Sequence, residues 1–561
     1  MDFADIIIIG SGFGGAVMAA RLGQDVAGRF GGNKTVLMLE KGNDHTGEFD
    51  PDWHGPPLND QGNRFRHSLA PDYLADLAEV HTDADGTAQT GVASFNVVTG
   101  LGLGGGSNVY SGVSLRAPTL AFEQTRGGRR LWPARYSRAA LNPYYAKVEA
   151  ALKVHRLRWT DQDVPHWQLA AKRDLVFAEG CRRIGATAVP LKVATDNDAN
   201  EGWWTQGQRF QGRQNLTKNY LALAKAAGVR FQCRCEVREI APIPTGYLVR
   251  LIDRRLEVER EQEIECRQLI VAGGAIASTG LLLRSRDNFP GDRRLDPGPD
   301  SARLAVLGKH LSGNGDYGVT GTVGEAFELA VETHKGKPIS SISPSWFREH
   351  QFVLLPFYAE PLYLALGRIS TLLRAEEPTA LGRRSTSPQK DQDNRPERSF
   401  GLAYKQRLST FGRRLFSMGC LALDEGEGEI VLGAADDLQV RWSETHPSTE
   451  RRWSAAADAM RRIYEALGGE MFLDGYRKDG TVNTSHPLGG CRMAEDAAEG
   501  IVDANGEHFR NPGLFVVDSA IIPSGLAANP TLTIAAVAES IAERLIDGVG
   551  MRSLERRLSG L

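Results

Sequence analysis

The sequence predicts an α/β protein that opens with a Rossmann-like unit of strand, turn, helix and strand, and three observations support this prediction. Residues 6–9 are four consecutive isoleucines, the short apolar run typical of a parallel strand buried on both faces. Gly10, Gly12 and Gly15 follow in GxGxxG spacing and lead into an apolar, alanine-rich stretch expected to be a helix. Residues 35–40 then form a second apolar run that ends in an acidic residue.

Each part of this unit has a place in binding a dinucleotide. The glycines let the backbone approach a pyrophosphate closely at the start of the helix, where unpaired N–H groups and the helix dipole favour negative charge. Glu40, at the end of the second strand, is placed to accept hydrogen bonds from a ribose hydroxyl. The alternative is a glycine-rich turn that binds no ligand. The complete order of strand, turn, helix, strand and acid favours the dinucleotide site.

Length and composition limit the remaining possibilities. A chain of 561 residues exceeds what one hydrophobic core supports, so two or more domains are expected. A net charge of −3 provides no basic field, and we expect no nucleic-acid partner. The six cysteines show no paired CxxC spacing, so neither a metal site nor a disulfide framework is expected. The sequence shows no signal peptide and no membrane-spanning run, which predicts a cytoplasmic protein.

A second glycine-rich stretch, "GLGLGGGSNVYSG" at residues 100–112, points to the type of cofactor. So many glycines imply unusual backbone angles or another surface lying directly on the backbone. A flavin, with its ribityl chain and large flat ring, needs such a surface, whereas a nicotinamide has no obvious need for it. The flanking β-prone runs favour this interpretation over a flexible linker. The candidate cofactor contacts here are Gly100, Gly104, Gly105, Gly106, Ser107 and Asn108.

The closing part of the chain predicts a further strand, a loop and a long amphipathic helix. The strand is expected to end at Asp518, and Asn529 and Pro530 suit the N-cap and the first position of the helix. The N-terminus of that helix carries positive dipole character, which can stabilise a reduced, anionic flavin ring. The amide of Asn529 can also bind a substrate oxygen. The alternative for Asn529 is a helix cap alone.

A single histidine, His486, stands in the stretch "NTSHPLGGCRM". An imidazole that titrates near neutrality is a suitable acceptor for the hydroxyl proton of an alcohol. Pro487 restricts the backbone on one side of the histidine, and the two glycines that follow let the chain turn away. The alternative is a structural loop histidine. Cys491 close by is best explained as a small buried filler.

Taken together, these motifs resemble the glucose-methanol-choline (GMC) oxidoreductase family, and in particular its bacterial cholesterol oxidases that bind FAD non-covalently. The likeness spans nearly the whole chain in the right order. It implies a doubly wound, Rossmann-like FAD-binding domain and a substrate-binding domain on a mixed β-sheet, an α/β class that is α+β overall. The implied FAD-binding segments are 1–45, 91–115, 205–310 and 470–561. The implied substrate-binding segments are 46–90, 116–204 and 311–469.

The resemblance also implies roles for single residues. His486 matches the family's catalytic histidine, and Asn529 matches its active-site asparagine beside Pro530. Val237 would touch the adenine, and Gly273 would lie near the dinucleotide. The glycine-rich stretch at 100–112 contains no histidine, so no covalent flavin linkage is expected from it.

The activity implied is FAD-dependent oxidation of a secondary hydroxyl on a bulky apolar, sterol-like molecule, by hydride transfer to flavin N5. Three alternatives stay open. The same chemistry could act on a sugar, a long-chain alcohol or a secondary-metabolite hydroxyl. The protein could instead be a non-redox relative with a structural flavin, or a dehydrogenase that uses only a nicotinamide cofactor.

The sequence departs from the cholesterol oxidase pattern between about residues 317 and 470, the region expected to shape the substrate cavity. Cholesterol oxidases carry a buried glutamate there, and Glu360 is the candidate base here, with an ordinary surface glutamate as the alternative. Tyr110 stands near a position that the family often gives to asparagine.

Residues 362–415 resemble an insertion in which apolar side chains recur twice at helical spacing, around a polar, turn-rich middle. From 359 to 417 there are eleven Lys or Arg against six Asp or Glu. A basic amphipathic hairpin could make peripheral contact with an anionic membrane surface. The alternative is a solvated flap on the substrate domain.

Overall fold

The structure is a computed structural model. It describes residues 3–25, 34–44, 78–82, 94–159, 171–195, 213–255, 258–296, 306–324, 331–333, 337, 339–357, 413–433, 437–442, 446–474 and 481–548. Glu360 and nearly all of the 362–415 segment lie outside these residues. None of the described helices is both long and apolar enough to cross a membrane.

The described helices are α1 (Phe13–Gln24), α2 (Thr119–Glu123), α3 (Arg138–Ala151), α4 (Lys172–Arg183), α5 (Tyr220–Ala226), α6 (Gly274–Ser285), α7 (Phe347–His350), α8 (Pro447–Ala466) and α9 (Thr531–Asp547). The described strands in the first half of the chain are β1 (Phe3–Ile9), β2 (Val36–Leu39), β3 (Ala78–Thr82), β4 (Ser94–Gly100), β5 (Thr125–Arg126), β6 (Arg129–Arg130), β7 (Val154–Arg156), β8 (Val189–Pro190), β9 (Lys192–Ala194), β10 (Arg230–Gln232), β11 (Cys235–Ile243), β12 (Gly246–Asp253) and β13 (Arg260–Val271). Those in the second half are β14 (Lys309–Leu311), β15 (Tyr317–Thr322), β16 (Ser341–Ile342), β17 (Phe352–Phe357), β18 (Leu415–Ala422), β19 (Gly428–Leu432), β20 (Leu438–Arg441), β21 (Glu470–Asp474), β22 (Thr481–Thr484) and β23 (Leu514–Val516).

The predicted Rossmann-like unit lies in a seven-stranded mixed sheet. Its strand order is β10-β2-β1-β13-β12-β11, and β23 pairs with the carboxyl-terminal part of β13. The neighbouring strands β10, β2, β1 and β13 are parallel, and Ile8 of β1 lies opposite Met38 on one side and Ile270 on the other. The pairs β13–β12 and β12–β11 are antiparallel. The isoleucine run is buried on both faces, as its sequence predicts. Strands that are far apart in sequence therefore build one sheet, and this confirms the predicted α/β class.

A small three-stranded sheet brings two distant parts of the chain together. β22 pairs in parallel with β4, with Thr484 opposite Val97. The carboxyl ends of parallel strands lie at the same edge of a sheet. The glycine-rich stretch that follows β4 and the His486 turn that follows β22 therefore start side by side, although about 380 residues separate them in the chain (484 minus 97 is 387).

A four-stranded sheet in the order β17-β18-β15-β21 stands beside this region. Its described strand pairs are all antiparallel, whereas the seven-stranded sheet contains both parallel and antiparallel pairs. Helix α8 packs on it through Trp453 and Met460. Leu415, which was expected at the end of a helix, instead begins β18 and pairs with Thr322. This part of the helix prediction is wrong, because pairing with two strands outweighs the local helical spacing.

Helix α3 packs against α9 and helps to fix it in place. Its side chain Tyr145 lies 2.8 Å from Thr533 in the first turn of α9, hydroxyl to hydroxyl. The N-terminus of α3 is capped by Ser137, whose Oγ accepts a hydrogen bond from the N–H of Ala140 at 3.1 Å.

We expect Ser137→Ala to lower the free energy of unfolding by about 1 kcal/mol, because the substitution leaves an N–H at the start of α3 without its cap. The measurement is the midpoint of urea unfolding. Ser137→Asp is the control, since aspartate caps equally well. Identical midpoints for the alanine variant and the unmodified protein would show that this cap contributes nothing.

Candidate active site

The GxGxxG loop forms a tight turn at the carboxyl end of β1. Gly10 has φ +95°, and a Cβ there would come within 2.4 Å of the Ala272 carbonyl oxygen. A Cβ on Gly15 would come within 2.1 Å of the Gly10 carbonyl oxygen, so helix and strand meet too closely for a side chain at either position. Gly12 differs, because a Cβ there would meet no protein atom within 4 Å. Gly12 is also the N-cap of α1, and no side chain caps that helix.

Glu40 is buried at the end of β2, and both of its carboxylate oxygens accept hydrogen bonds. Oε2 accepts from the N–H of Ser11 at 3.1 Å and from its hydroxyl at 2.5 Å, and Oε1 accepts from the N–H of Gly42 at 2.9 Å. Burial raises the pKa of the Glu40 carboxyl. Glu40 therefore orders the GxGxxG loop in addition to its predicted role at a ribose.

The second glycine-rich stretch lies directly on the first. The N–H of Gly104 donates to the Ser11 hydroxyl at 2.9 Å, and a Cβ on Gly105 would come within 3.0 Å of Gly12 Cα. A Cβ on Gly106, like one on Gly12, would meet no protein atom within 4 Å. The two stretches that were predicted separately as cofactor contacts thus pack against each other, and each leaves open space beside one glycine, Gly12 or Gly106.

The other residues predicted in this stretch hold its shape. Gly100 packs so closely that a Cβ would lie 2.4 Å from Gly106 Cα. The Ser107 hydroxyl donates to the Gly104 carbonyl at 2.7 Å and accepts from the N–H of Leu216 at 3.1 Å. The Asn108 amide donates to the Leu103 carbonyl at 3.0 Å. Ser107 and Asn108 therefore use their polar groups on the loop itself.

Tyr110 fastens the end of the stretch to the neighbouring segment. Its hydroxyl donates to the Gln214 carbonyl, and its ring packs edge-on against Phe13 with the centroids 5.6 Å apart. Burial raises the pKa of the Tyr110 hydroxyl. Val109 just before it is 44% exposed, although the residues on either side of it are more buried.

Three further predicted contacts lie around the same end of the sheet. Gly273 Cα would lie 2.8 Å from a Cβ on Gly10, so its backbone borders the GxGxxG loop. Asp518 is buried, and its carboxylate accepts from the N–H of Gly274 at 2.8 Å and from the Ser278 hydroxyl at 2.5 Å. Burial raises the pKa of this carboxyl. Asp518 thus ties the start of α6 to the loop after β23. Val237, the third of these residues, is 9% exposed in β11.

His486 and Asn529 lie in contact. The Asn529 amide nitrogen Nδ2 is 3.1 Å from His486 Nε2. Asn529 is 8% exposed, and its Oδ1 is buried without a hydrogen-bond partner, as is Oγ1 of Thr531. Helix α9 begins at Thr531 with Pro530 as its N-cap and with no side-chain cap. The expectation that Asn529 caps this helix is therefore wrong, because its amide is turned to the histidine.

Asp316, which the sequence did not single out, contacts the other ring nitrogen of His486. Its Oδ2 and Oδ1 lie 2.8 Å and 3.0 Å from His486 Nδ1. The contact arises because residues 312–316 run antiparallel to residues 484–488, with Ser312 bridged to Leu488. The polar run "SGNGD" at residues 312–316, just before β15, was the available signal in the sequence. Its contact with His486 could be recognised only from the position of β22, which lies about 170 residues away in the sequence.

The same short segment also positions Asn529. Asn314 donates through Nδ2 to the Ala528 carbonyl at 3.0 Å and accepts through Oδ1 from the N–H of Leu526 at 2.8 Å. Ala527 between them has φ +49°, a strained angle for a residue with a Cβ. Residues 312–316 therefore hold the histidine and the asparagine in fixed relative positions.

The residues present fit an FAD molecule. The open backbone faces of Gly12 and Gly106 and the uncapped N-terminus of α1 suit a pyrophosphate and a ribityl chain. The uncapped N-terminus of α9 and the unpartnered oxygens of Asn529 and Thr531 suit the polar edge of a ring or a substrate hydroxyl.

Within the described residues no cluster of His, Cys, Asp or Glu could hold a metal ion. Cys491 is buried, as expected of a filler, and burial raises the pKa of its thiol.

Comparison with known proteins matches two family models, both described as GMC oxidoreductase, over residues 4–286 and 431–538. The chain is 26% identical to paromamine 6'-oxidase of Streptomyces fradiae, with 95% of this chain and 89% of that protein covered. It is 25% identical to cholesterol oxidase of Mycobacterium tuberculosis, with 96% and 90% covered. Long-chain-alcohol oxidase FAO3 of Arabidopsis thaliana is 21% identical, and this chain spans 67% of its length.

A shorter match and two solved structures extend this picture. Long-chain-alcohol oxidase FAO4B of Arabidopsis thaliana is 31% identical over 183 residues, which cover 27% of this chain and about a quarter (24%) of that protein. Pyridoxine 4-oxidase from Mesorbium loti has a TM-score of 0.62 at 17% identity, covering 96% of this chain and 99% of that one. A fungal aryl-alcohol oxidase has a TM-score of 0.58 at 16% identity, covering 98% and 99%. At these identities the two structures show a shared fold.

Proposed function

This chain belongs to the GMC oxidoreductase family of flavin-dependent enzymes that act on CH–OH groups, and from that premise we propose that it oxidises a secondary alcohol of a bulky apolar, sterol-like molecule, with non-covalently bound FAD and with His486 as the base. The observation that supports the site most directly is the contact between His486 Nε2 and the Asn529 amide, 3.1 Å apart. Beside it, the buried Asn529 Oδ1 has no partner in the protein.

The pair can bind and deprotonate a hydroxyl. An alcohol that takes the place of the Asn529 amide at Nε2 can donate its proton to the ring, while the amide can donate to the alcohol oxygen. The unpartnered Oδ1 is a hydrogen-bond acceptor that is already buried away from water. A substrate donor placed against it would form a hydrogen bond without the cost of removing water from this oxygen. FAD, when bound, supplies the acceptor for the two electrons that leave the alcohol carbon.

An apolar substrate accords with the hydrophobic side chains of the region expected to shape the cavity. A hydrophobic cluster joins the strand region after the glycine-rich stretch to the four-stranded sheet, through Val113 on one side and Val353 and Leu355 on the other. Leu115 and Phe357 pack at its margin and are only partly buried. Partly buried apolar side chains are typical of the lining of a pocket for an apolar ligand, and we expect Leu115 and Phe357 to contribute to that lining.

Long-chain alcohols are the second candidate substrate class. Two of the relatives described above are long-chain-alcohol oxidases, and one is a cholesterol oxidase. A long-chain alcohol shares with a sterol a single hydroxyl on a large apolar body, which the same arrangement of polar pair and apolar margin would accept. The two classes differ in the shape of the cavity they need.

Absorbance titration of the purified protein without oxygen tests the proposal. We expect a 3β-hydroxysterol to bleach the flavin absorbance, because hydride transfer to the ring removes the oxidised spectrum. Admission of air afterwards separates an oxidase, which recovers its colour at once, from a dehydrogenase. A flavin that stays oxidised with the sterol but bleaches with a long-chain alcohol would overturn the sterol assignment and leave alcohol oxidation standing. A flavin that no alcohol bleaches would remove the function itself.

A further inference from the structure

Asp316 lies against His486 on the side of the ring opposite Asn529. Both of its oxygens are within 3.0 Å of Nδ1, and the residue is 9% exposed. The Thr484 hydroxyl lies 2.8 Å from Asp316 Oδ2, and the same hydroxyl accepts from the N–H of His486 at 3.0 Å. Carboxylate, hydroxyl and imidazole therefore form one closed network, which fixes the plane of the ring.

This network decides which ring nitrogen carries the proton. An ionised carboxylate has only acceptors, so Nδ1 must be the N–H that faces Asp316. In a neutral imidazole the other nitrogen is then an acceptor, which agrees with the amide of Asn529 donating to Nε2. Asp316 and Asn529 thus select the same tautomer from opposite sides of the ring.

We propose that Asp316 is a positioning residue that holds His486 in the tautomer protonated at Nδ1, and so keeps Nε2 unprotonated, able to accept the substrate's hydroxyl proton once the Asn529 amide turns from Nε2 to the alcohol oxygen. The proposal rests on the proposed function of His486 as the base. In the step concerned, the O–H bond of the alcohol breaks and an N–H bond forms at Nε2. The ring becomes positively charged, and the adjacent carboxylate stabilises that charge as it forms.

Asp316 is held in place independently of the histidine. The preceding residue, Gly315, donates its N–H to Asp424 at 2.9 Å. Strand β15 starts directly after Asp316. Asp424 is buried and also accepts from the Ser312 hydroxyl at 2.5 Å. The segment that carries Asp316 is therefore fastened by a second carboxylate, which lies in the loop after β18.

Asp316→Asn is the direct test. Asparagine has the same shape, but its amide can donate to Nδ1, which favours the tautomer protonated at Nε2 and leaves no acceptor for the alcohol. The corresponding exchange beside the catalytic histidine of a serine protease lowers kcat by about 10⁴. We expect the rate constant for anaerobic flavin reduction to fall about 10²- to 10⁴-fold, with FAD content and substrate affinity unchanged. Asp316→Glu, which keeps the carboxylate, should recover part of the rate.

The tautomer itself can be read by NMR on protein labelled with ¹⁵N in its histidines, with His486 assigned by comparison with His486→Ala. We expect the unprotonated nitrogen of the neutral ring to be Nε2 in the unmodified protein and Nδ1 in Asp316→Asn. This readout is independent of activity, and a merely structural role of Asp316 would not move it. The unmodified protein alone decides the matter if the asparagine variant does not fold.

Asp458→Asn is the control, because it exchanges a carboxylate for an amide on the exposed face of α8, where Asp458 pairs with Arg461. We expect its flavin reduction to stay within about threefold of the unmodified rate, since an exposed ion pair contributes little to stability. Reduction of Asp316→Asn at the unmodified rate, or an unprotonated Nδ1 in the unmodified protein, would overturn the positioning role while leaving alcohol oxidation intact. An unmodified protein whose flavin no alcohol reduces would instead remove the proposed function, whatever the tautomer.

Discussion

His486→Ala is expected to lower the rate constant for flavin reduction by an alcohol about 10²- to 10⁴-fold, the range that general-base catalysis contributes. The substitution removes the acceptor that lies 3.1 Å from the Asn529 amide. FAD should stay bound, because the dinucleotide surface is built from the two glycine-rich stretches, which His486 does not touch. The measurement is stopped-flow absorbance without oxygen, with the flavin content determined in the same sample.

Two variants give this result its meaning. His350→Ala removes a half-buried histidine from α7 and should leave reduction unchanged, because its ring stacks on Phe352. Asn529→Ala removes the donor to Nε2 but keeps the base, so we expect a smaller loss than for His486→Ala, about tenfold to a hundredfold. Reduction at the unmodified rate in both His486→Ala and Asn529→Ala would refute the roles assigned to this pair.

Gly12→Asp is expected to weaken FAD binding by about a hundredfold or more while leaving the protein folded. Aspartate is a favoured N-cap, and a Cβ at Gly12 would meet no protein atom within 4 Å, so we expect α1 to be as stable as before. The new carboxylate would occupy the free N–H groups of the helix and repel a pyrophosphate, and such like-charge contacts cost several kcal/mol. The measurement is FAD affinity by fluorescence titration of protein stripped of its flavin, with the circular dichroism spectrum as the check on folding.

Gly12→Ala separates size from charge. It adds only a methyl group to the same open space, and we expect a loss of affinity of about tenfold, from the 1–3 kcal/mol that overpacking costs. A folded Gly12→Asp variant that binds FAD as tightly as the unmodified protein would show that the pyrophosphate does not lie at the start of α1.

The family assignment and the substrate assignment rest on different parts of the molecule. The family models match residues 4–286 and 431–538, which include the glycine-rich stretches, His486 and Asn529. Residues 287–430, which lie between them, include β15, β17 and the start of the region expected to shape the substrate cavity. The relatives differ accordingly in the alcohols their names give, from cholesterol to paromamine. The shared segments therefore support the chemistry, and we expect the intervening one to govern which alcohol is accepted.

The local motifs could be predicted from the sequence by itself. The isoleucine run, the GxGxxG loop and the position of Glu40 depend on neighbours within about 40 residues, and strand, turn and helix preferences act over that range. His486 and Asn529 could be singled out because their surrounding turns resemble a family, although nothing local distinguishes such a histidine from a structural one. Asn529 was expected to have a capping role as one alternative, and local preference gave no reason to discard it.

Only the tertiary structure decided how these pieces act together. Glu40, Ser11 and Gly104 join the two glycine-rich stretches through hydrogen bonds that no local pattern encodes. Asp316 acquires its place at His486 Nδ1 because residues 312–316 pair with residues 484–488, and the contact spans 170 residues of sequence. Sequence patterns report local preferences. The partner of a buried carboxylate or of an amide is set instead by strand pairing between distant segments. For this reason Asp316, the acid that contacts His486, could be found only from the fold.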